Sequence, residues 1–326
     1  MQVPLDSWQV GPWNRWAYQH VDEVVPTVSV SRGDGPALEL PVRPQALAVE
    51  DPPYLDGLAV LRDGALVEER YRNGMDETTL HLSQSVGKSV LGLLVLALGL
   101  DPETPVTEAV PEVAGSGYEG ARVRHLLDMT AAVDFVEDYA DFWRYDAACA
   151  WHPPHPGVPA TILEFLPTIG PAAWAHGERF RYATPNTDLL GIVTERLGGA
   201  PLAELIAREL WAPMGAEHDA LLTVDHAGTA AIGGGFCATL RDYARIGEHV
   251  RREGLALGGG PLAAGAEPGA TGYGGQWWTI DGRLTAWGIH GQRIAVGRDA
   301  VVAILSSWPE ATGREAAHRR FVAAAG

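Results

Sequence analysis

An eleven-residue apolar run, Val90 to Leu100, begins two residues after Lys88 in the stretch Ser85-Val-Gly-Lys88-Ser, and this junction constrains the fold most. The run is too short to span a bilayer and suits a buried core helix. Lys88 is the only lysine; the 24 basic residues less this one leave 23 arginines. An ammonium loses its proton when desolvated, whereas a guanidinium keeps it. A lysine retained where arginine serves everywhere else therefore points to a general base. Ser85 stands three residues earlier, about one helical turn away on the same face, close enough for the amine to take its hydroxyl proton. Ser-x-x-Lys alone arises by chance about once in an average chain. With nine serines in 326 residues, however, a sole lysine finds serine at that spacing only about 3 times in 100. The competing reading is an N-cap serine with a lysine snorkelling to solvent.

The length suits one large domain or two interlocked ones, and 46% apolar content supplies a substantial core. A net charge of −17 argues against nucleic acid or an anionic membrane as partner. Cys149 and Cys237 form neither a disulfide framework nor a metal cluster and read as buried small hydrophobes. The N-terminal residues Met1-Gln-Val-Pro-Leu-Asp lack the pattern of a secretory signal, so a cytoplasmic location is expected. His152 and His155 in Trp151-His-Pro-Pro-His-Pro look like metal ligands, but prolines lock the segment and no third ligand lies nearby in sequence, so no metal is expected.

Leu58 to Tyr71 reads as a β-hairpin around Asp63-Gly64. Helical patterns dominate from Val123 to about Ala216, including Arg124 to Met129 and Asn186 to a glycine C-cap at 198–199. Thr239 reads as the N-cap of a further helix. Strands follow at 276–280, 284–290, 292–296 and from Val301, with a turn at Gly297-Arg-Asp, and 315–325 reads as a closing helix. Gly258 to Gly272 reads as a loop. Strands early, helices in the middle and strands late imply an α+β fold: an antiparallel sheet built from both chain ends, with a helical region inserted between them.

A Ser–Lys pair requires an acid for the leaving group and an oxyanion hole. Phe180-Arg-Tyr182-Ala-Thr-Pro-Asn186-Thr-Asp188 places a tyrosine and an asparagine just before a helix, and a neighbouring lysine can lower a tyrosine's pKa enough for proton exchange. Gly288-Ile-His290-Gly-Gln292 sets glycines around a strand, which lets backbone N–H groups approach a ligand. Alternatives remain open: Tyr182 as a half-buried core tyrosine, His290 as a structural histidine, and Asp188 as a helix first-turn acid.

Together these segments resemble the serine β-lactamase and penicillin-binding-protein superfamily, in particular its class C-like branch with carboxylesterases and 6-aminohexanoate-dimer (nylon oligomer) hydrolases. The resemblance runs from Asn14-Arg-Trp-Ala-Tyr-Gln-His-Val through His81-Leu-Ser-Gln-Ser-Val-Gly-Lys-Ser, Val123-Arg-His-Leu-Leu-Asp-Met-Thr and Glu137-Asp-Tyr139 to Tyr182-Ala-Thr-Pro-Asn and Gly288-Ile-His-Gly-Gln. It implies a serine hydrolase in which Ser85 is acylated and Lys88 and Tyr182 share proton transfer. The oxyanion hole is then the N–H of Ser85 with that of Ile289, His290 being the alternative donor. It implies no metal or organic cofactor. Tyr139 matches a tyrosine on a mobile loop that contacts the scissile amide, Asn186 belongs to the second motif, and Trp277 and Trp278 wall an apolar pocket or fill the core. The implied partner is a small-molecule ester or amide, handled by a monomer or homodimer.

Two departures narrow this. The second motif is Tyr182-x-x-x-Asn186 in place of Tyr-x-Asn, and Ile289-His290-Gly291 replaces Lys-Thr-Gly. A histidine mostly neutral near pH 7 receives a substrate carboxylate poorly, which disfavours β-lactamase and DD-peptidase activity. The expected architecture is an α/β region from 1–88 and 228–326 around a five-stranded antiparallel sheet flanked by helices, and a mostly helical region from 89–227. The site lies at their seam. An acyltransferase of the same fold and a non-catalytic ligand-binding relic stay open.

Overall fold

The computed structural model describes residues 3–47, 49–138, 142–312, 319 and 321–323. Its strands are, in chain order, β1 (Thr27–Val30), β2 (Leu55–Arg62), β3 (Ala65–Tyr71), β4 (His81–Leu82), β5 (Ala220–Thr223) and β6 (Phe236–Ala238). The remainder are β7 (Ala270–Gly274), β8 (Trp277–Ile280), β9 (Arg283–Gly288), β10 (Gln292–Val296) and β11 (Ala300–Ser306). The three longest helices are α1 (Val86–Ala97), α2 (Thr184–Gly198) and α3 (Leu240–Glu253).

Asp63 (φ 49°) and Gly64 (φ 76°) both take positive φ between β2 and β3, as a tight two-residue hairpin turn requires. β2 then pairs antiparallel with β11, Val60 opposite Val302, so strands from the two ends of the chain meet inside one sheet. That sheet runs β3-β2-β11-β10-β9-β8-β7. Strand alternation divides its apolar side chains between two faces. Ala59 and Leu61 join the main core with Val301 and Ala303, while Leu58 and Val60 form a second core with Val302 and Ile304. α3, capped by Thr239 through the N–H of Asp242, covers the main-core face.

Among the described residues the sheet has seven strands in place of the expected five. The edge grows because Gly275 (φ 59°) and Gln276 (φ 66°) turn the chain back on itself, pairing β8, which lies in the strand expected at 276–280, with β7, whose first residues read as loop from composition alone. Pairing along a sheet edge overrides the weak local strand preference of Ala and Gly. The strand expected to reach His290 stops at Gly288, and Ile289–Gly291 form a turn with His290 at φ 59°. A second sheet, β1-β5-β6-β4, lies apart from the first and leads through β4 directly to Ser85. The closing helix expected at 315–325 falls largely outside the described residues. Among the described residues no helix is long and apolar enough to cross a membrane.

Candidate active site

Ser85 is the residue immediately before α1, and Lys88 lies in its first turn. Gln84 before it adopts φ 50°, a left-handed conformation that sets the angle at which β4 passes into the helix. Lys88 is 1% exposed, and its Nζ donates to Ser85 Oγ at 2.9 Å, Thr184 Oγ1 at 2.9 Å and the Gly233 carbonyl at 2.5 Å. Burial pulls its pKa below the usual lysine value, while the charges of Glu137 and Asp188 hold it up.

The Tyr182 ring lies 5.1 Å from Lys88 Nζ and stacks on Trp278, with centroids 5.8 Å apart. Burial raises its pKa well above the ordinary tyrosine value, and a hydrogen bond with Ser85 opposes this only in part. The expected lowering by the lysine is therefore overridden. The resting phenol keeps its proton and is a donor, whereas Lys88 is the group suited to accept one.

Two acids that sequence reasoning gave no catalytic part complete this cluster. Glu137 accepts the Thr184 N–H at 2.6 Å on Oε2 and the Thr184 hydroxyl at 2.7 Å on Oε1. Asp188 does not cap α2. Its Oδ1 accepts the Gly233 N–H at 2.7 Å and its Oδ2 accepts the Tyr145 hydroxyl at 2.6 Å, tying down the loop whose carbonyl holds Lys88. Burial lifts its pKa to about 6 against the pull of Tyr145, Gly233 and Lys88. Thr184 stands two residues after Tyr182, the place of the asparagine in Tyr-x-Asn, whereas Glu137 carries no sequence signal beyond its place two residues before Tyr139.

Gly288 brings the end of β9 against the serine segment. A Cβ there would sit 2.4 Å from the Ser83 carbonyl oxygen, so only glycine permits the approach that sets Ile289 beside Ser85 on the cavity wall. His290 is 2% exposed, its Nδ1 donates to the Trp308 carbonyl at 2.7 Å, and its ring meets Tyr18 edge-on. Burial lowers its pKa to about 4, so the imidazole is neutral and structural as well as part of the wall.

The cavity beside Ser85 has a volume of about 240 Å³. Phe142, Trp143 and Trp151 give it an aromatic side, and Glu137, Asp146 and Asp188 an acidic one, with neither lysine nor arginine among the described residues of its walls. Asp146 accepts from Gln9 Nε2 at 3.0 Å, and burial raises its pKa to about 7.

Three side chains assigned to substrate from sequence lie elsewhere. Asn186 is wholly buried with its amide 3.8 Å from Met129 Sδ, because the first turn of α2 faces the core. Trp277 is buried in the main core and donates to the Ser89 carbonyl. Alternation along β8 sends Trp278 to the opposite face, where it supports Tyr182 rather than the cavity. Tyr139 lies outside the described residues. Among the described residues no cluster of three or more His, Cys, Asp or Glu is arranged to hold a metal ion.

Comparison with known proteins shows the family and the fold. The β-lactamase family model matches residues 56–326. The 6-aminohexanoate-dimer hydrolase of Paenarthrobacter ureafaciens is 37% identical over 94% of this chain and 88% of its own length. A solved structure from Bacillus anthracis, provisionally a 6-aminohexanoate-dimer hydrolase, superposes with a TM-score of 0.85 at 23% identity, covering 99% of this chain and 96% of that one. EstCE1, a hydrolase with promiscuous acyltransferase activity, shares the fold with a TM-score of 0.65 at 17% identity over 83% of this chain and 94% of its own.

Proposed function

The chain belongs to the β-lactamase family, and on that premise we propose that it is a serine hydrolase opening carboxylic esters or linear amides through an acyl-enzyme on Ser85. The observation that carries this is the 2.9 Å contact between Ser85 Oγ and the buried, only lysine of the chain, at the wall of a cavity. Lys88 takes the hydroxyl proton as Ser85 attacks the carbonyl carbon. The N–H groups of Ser85 and Ile289 receive the oxyanion. Tyr182 hands a proton to the leaving oxygen or nitrogen, the C–O or C–N bond breaks, and alcohol or amine departs. Water, deprotonated by the same pair, then releases the acid and restores Ser85.

The cavity walls favour a linear substrate with an aliphatic body and a positively charged end, such as the aminohexanoate dimer for which the P. ureafaciens relative is named. The neutral His290 and the carboxylate wall offer nothing to a carboxylate near the scissile bond, which disfavours penicillins and peptidoglycan stems. Unpaired buried Cys149 and Cys237 support a reducing, cytoplasmic setting, which cell fractionation tests.

The test is hydrolysis of p-nitrophenyl acetate and of linear 6-aminohexanoate dimer by wild type and Ser85→Ala. Cleavage by wild type and none by the variant is expected. Undiminished turnover by Ser85→Ala overturns the reading. Added alcohols or amines that divert product to new esters or amides would identify acyl transfer.

A further inference from the structure

We propose that Glu137 and Thr184 are positioning residues that aim the lone pair of Lys88 at Ser85. The proposal rests on Ser85 and Lys88 acting as proposed above, and it follows from the direction of each hydrogen bond around the amine.

Lys88 Nζ has three partners. The Gly233 carbonyl can only accept, so one amine proton is committed to it. The Thr184 hydroxyl can donate or accept, and on its own leaves the amine free to choose. Glu137 removes the choice. Its Oε2 takes the Thr184 backbone N–H at 2.6 Å, which locates the carboxylate, and its Oε1 takes the Thr184 hydroxyl proton at 2.7 Å. With that proton spent, Thr184 Oγ1 is an acceptor towards Lys88, and a second amine proton is committed to it. A neutral amine has two protons and one lone pair, so the lone pair is left pointing at the third partner, Ser85 Oγ. Deprotonation of Ser85 then needs no rotation of the amine. Among the described residues the charged and titratable groups facing Lys88 are Glu137, Asp188 and Cys149, with the Tyr182 ring on one side. Asp188 spends its oxygens on Gly233 and Tyr145, so the carboxylate that orients Thr184 is Glu137.

Glu137→Gln tests this because an amide has one accepting and one donating end. The Thr184 N–H claims the accepting end, so the amide NH₂ faces Thr184 Oγ1, reverses that hydrogen bond and turns the hydroxyl proton towards Lys88. The lone pair is then drawn to Thr184 instead of Ser85. Loss of the negative charge also lowers the pKa of Lys88. The two effects run in opposite directions in one experiment.

The probe is a fluorophosphonate, which phosphonylates an activated serine with loss of fluoride, and the readout is the second-order labelling rate from pH 5 to 10 for folded protein confirmed by melting. Glu137→Gln should label about 10- to 100-fold more slowly on its plateau, a fraction of what a general base contributes. Its acidic limb should move to lower pH. Thr184→Ser, which keeps the hydroxyl, should stay within about threefold of wild type, and Thr184→Val should fall with Glu137→Gln. An unchanged rate in Glu137→Gln, a slowed rate with an unmoved limb, or a Thr184→Ser as slow as Thr184→Val would each overturn the proposal while leaving Ser85 as nucleophile. Labelling that persists in Ser85→Ala would instead overturn the catalytic reading itself, and the positioning role with it.

Discussion

His290→Asn separates the structural work of His290 from any charge it carries. Asparagine tolerates the φ of 59° and retains an amide donor, but it does not titrate in the acid range. In the folded protein burial holds His290 near pKa 4, whereas in the unfolded chain it returns to about 6.5. As pH falls through 6.5 the unfolded chain takes up the proton first. The stability linked to this residue is thus fully present above that pH and is lost towards pH 4. The difference of about 2.5 between those values, at 1.36 kcal/mol for each, is about 3 kcal/mol, most of it developed by pH 4.5. Asp146 and Asp188, raised to about 7 and 6 by burial, work in the other direction, because the folded state protonates them first and gains stability as pH falls. They are present in both proteins and cancel in the difference. The assay is urea unfolding of wild type and variant at pH 7.5 and 4.5. The variant is expected to be the less stable at pH 7.5, having lost ring contacts with Tyr18, and the gap should narrow by about 2–3 kcal/mol at pH 4.5. Two stability curves that stay parallel within about 0.5 kcal/mol would show that His290 is not held neutral by its surroundings.

Lys88→Arg preserves charge but removes the base, and turnover should drop by about 10³-fold with the fold retained; a loss under about tenfold refutes the general-base role. Gly288→Ala forces the Ser83 carbonyl, 2.4 Å from the new Cβ, to move away from β9. A displacement of this kind should cost about 10²-fold in kcat with a smaller change in KM, and an unaltered kcat would mean that the Ile289 N–H is not part of the machinery. Asp146→Asn should raise KM about tenfold for a linear amide ending in an ammonium and leave KM for p-nitrophenyl acetate unchanged. Because Asp146 ionises near pH 7, the wild-type KM for the charged substrate should improve as pH rises through 7, and a flat profile would remove Asp146 from substrate recognition.

The sequence by itself determined the elements whose signals are local. The Asp63-Gly64 turn, the glycine end of α2 at Gly199 (φ 70°), the Thr239 cap and the buried start of α1 all stand where residue chemistry puts them. The Ser85–Lys88 pair was legible for the same reason, since three residues of helix fix the distance between two side chains whatever surrounds them. Tertiary structure alone decided what depends on residues far apart in the chain. It set Gly233 and Thr184, 145 and 96 positions from Lys88, around one amine nitrogen, and made Glu137 the carboxylate that orients it. It sent Trp277 to the core and Trp278 to Tyr182, because alternation along a strand names two faces but not which of them meets the site. It raised the pKa of Tyr182 where a local reading lowered it, since desolvation by the surrounding fold outweighs one neighbouring charge.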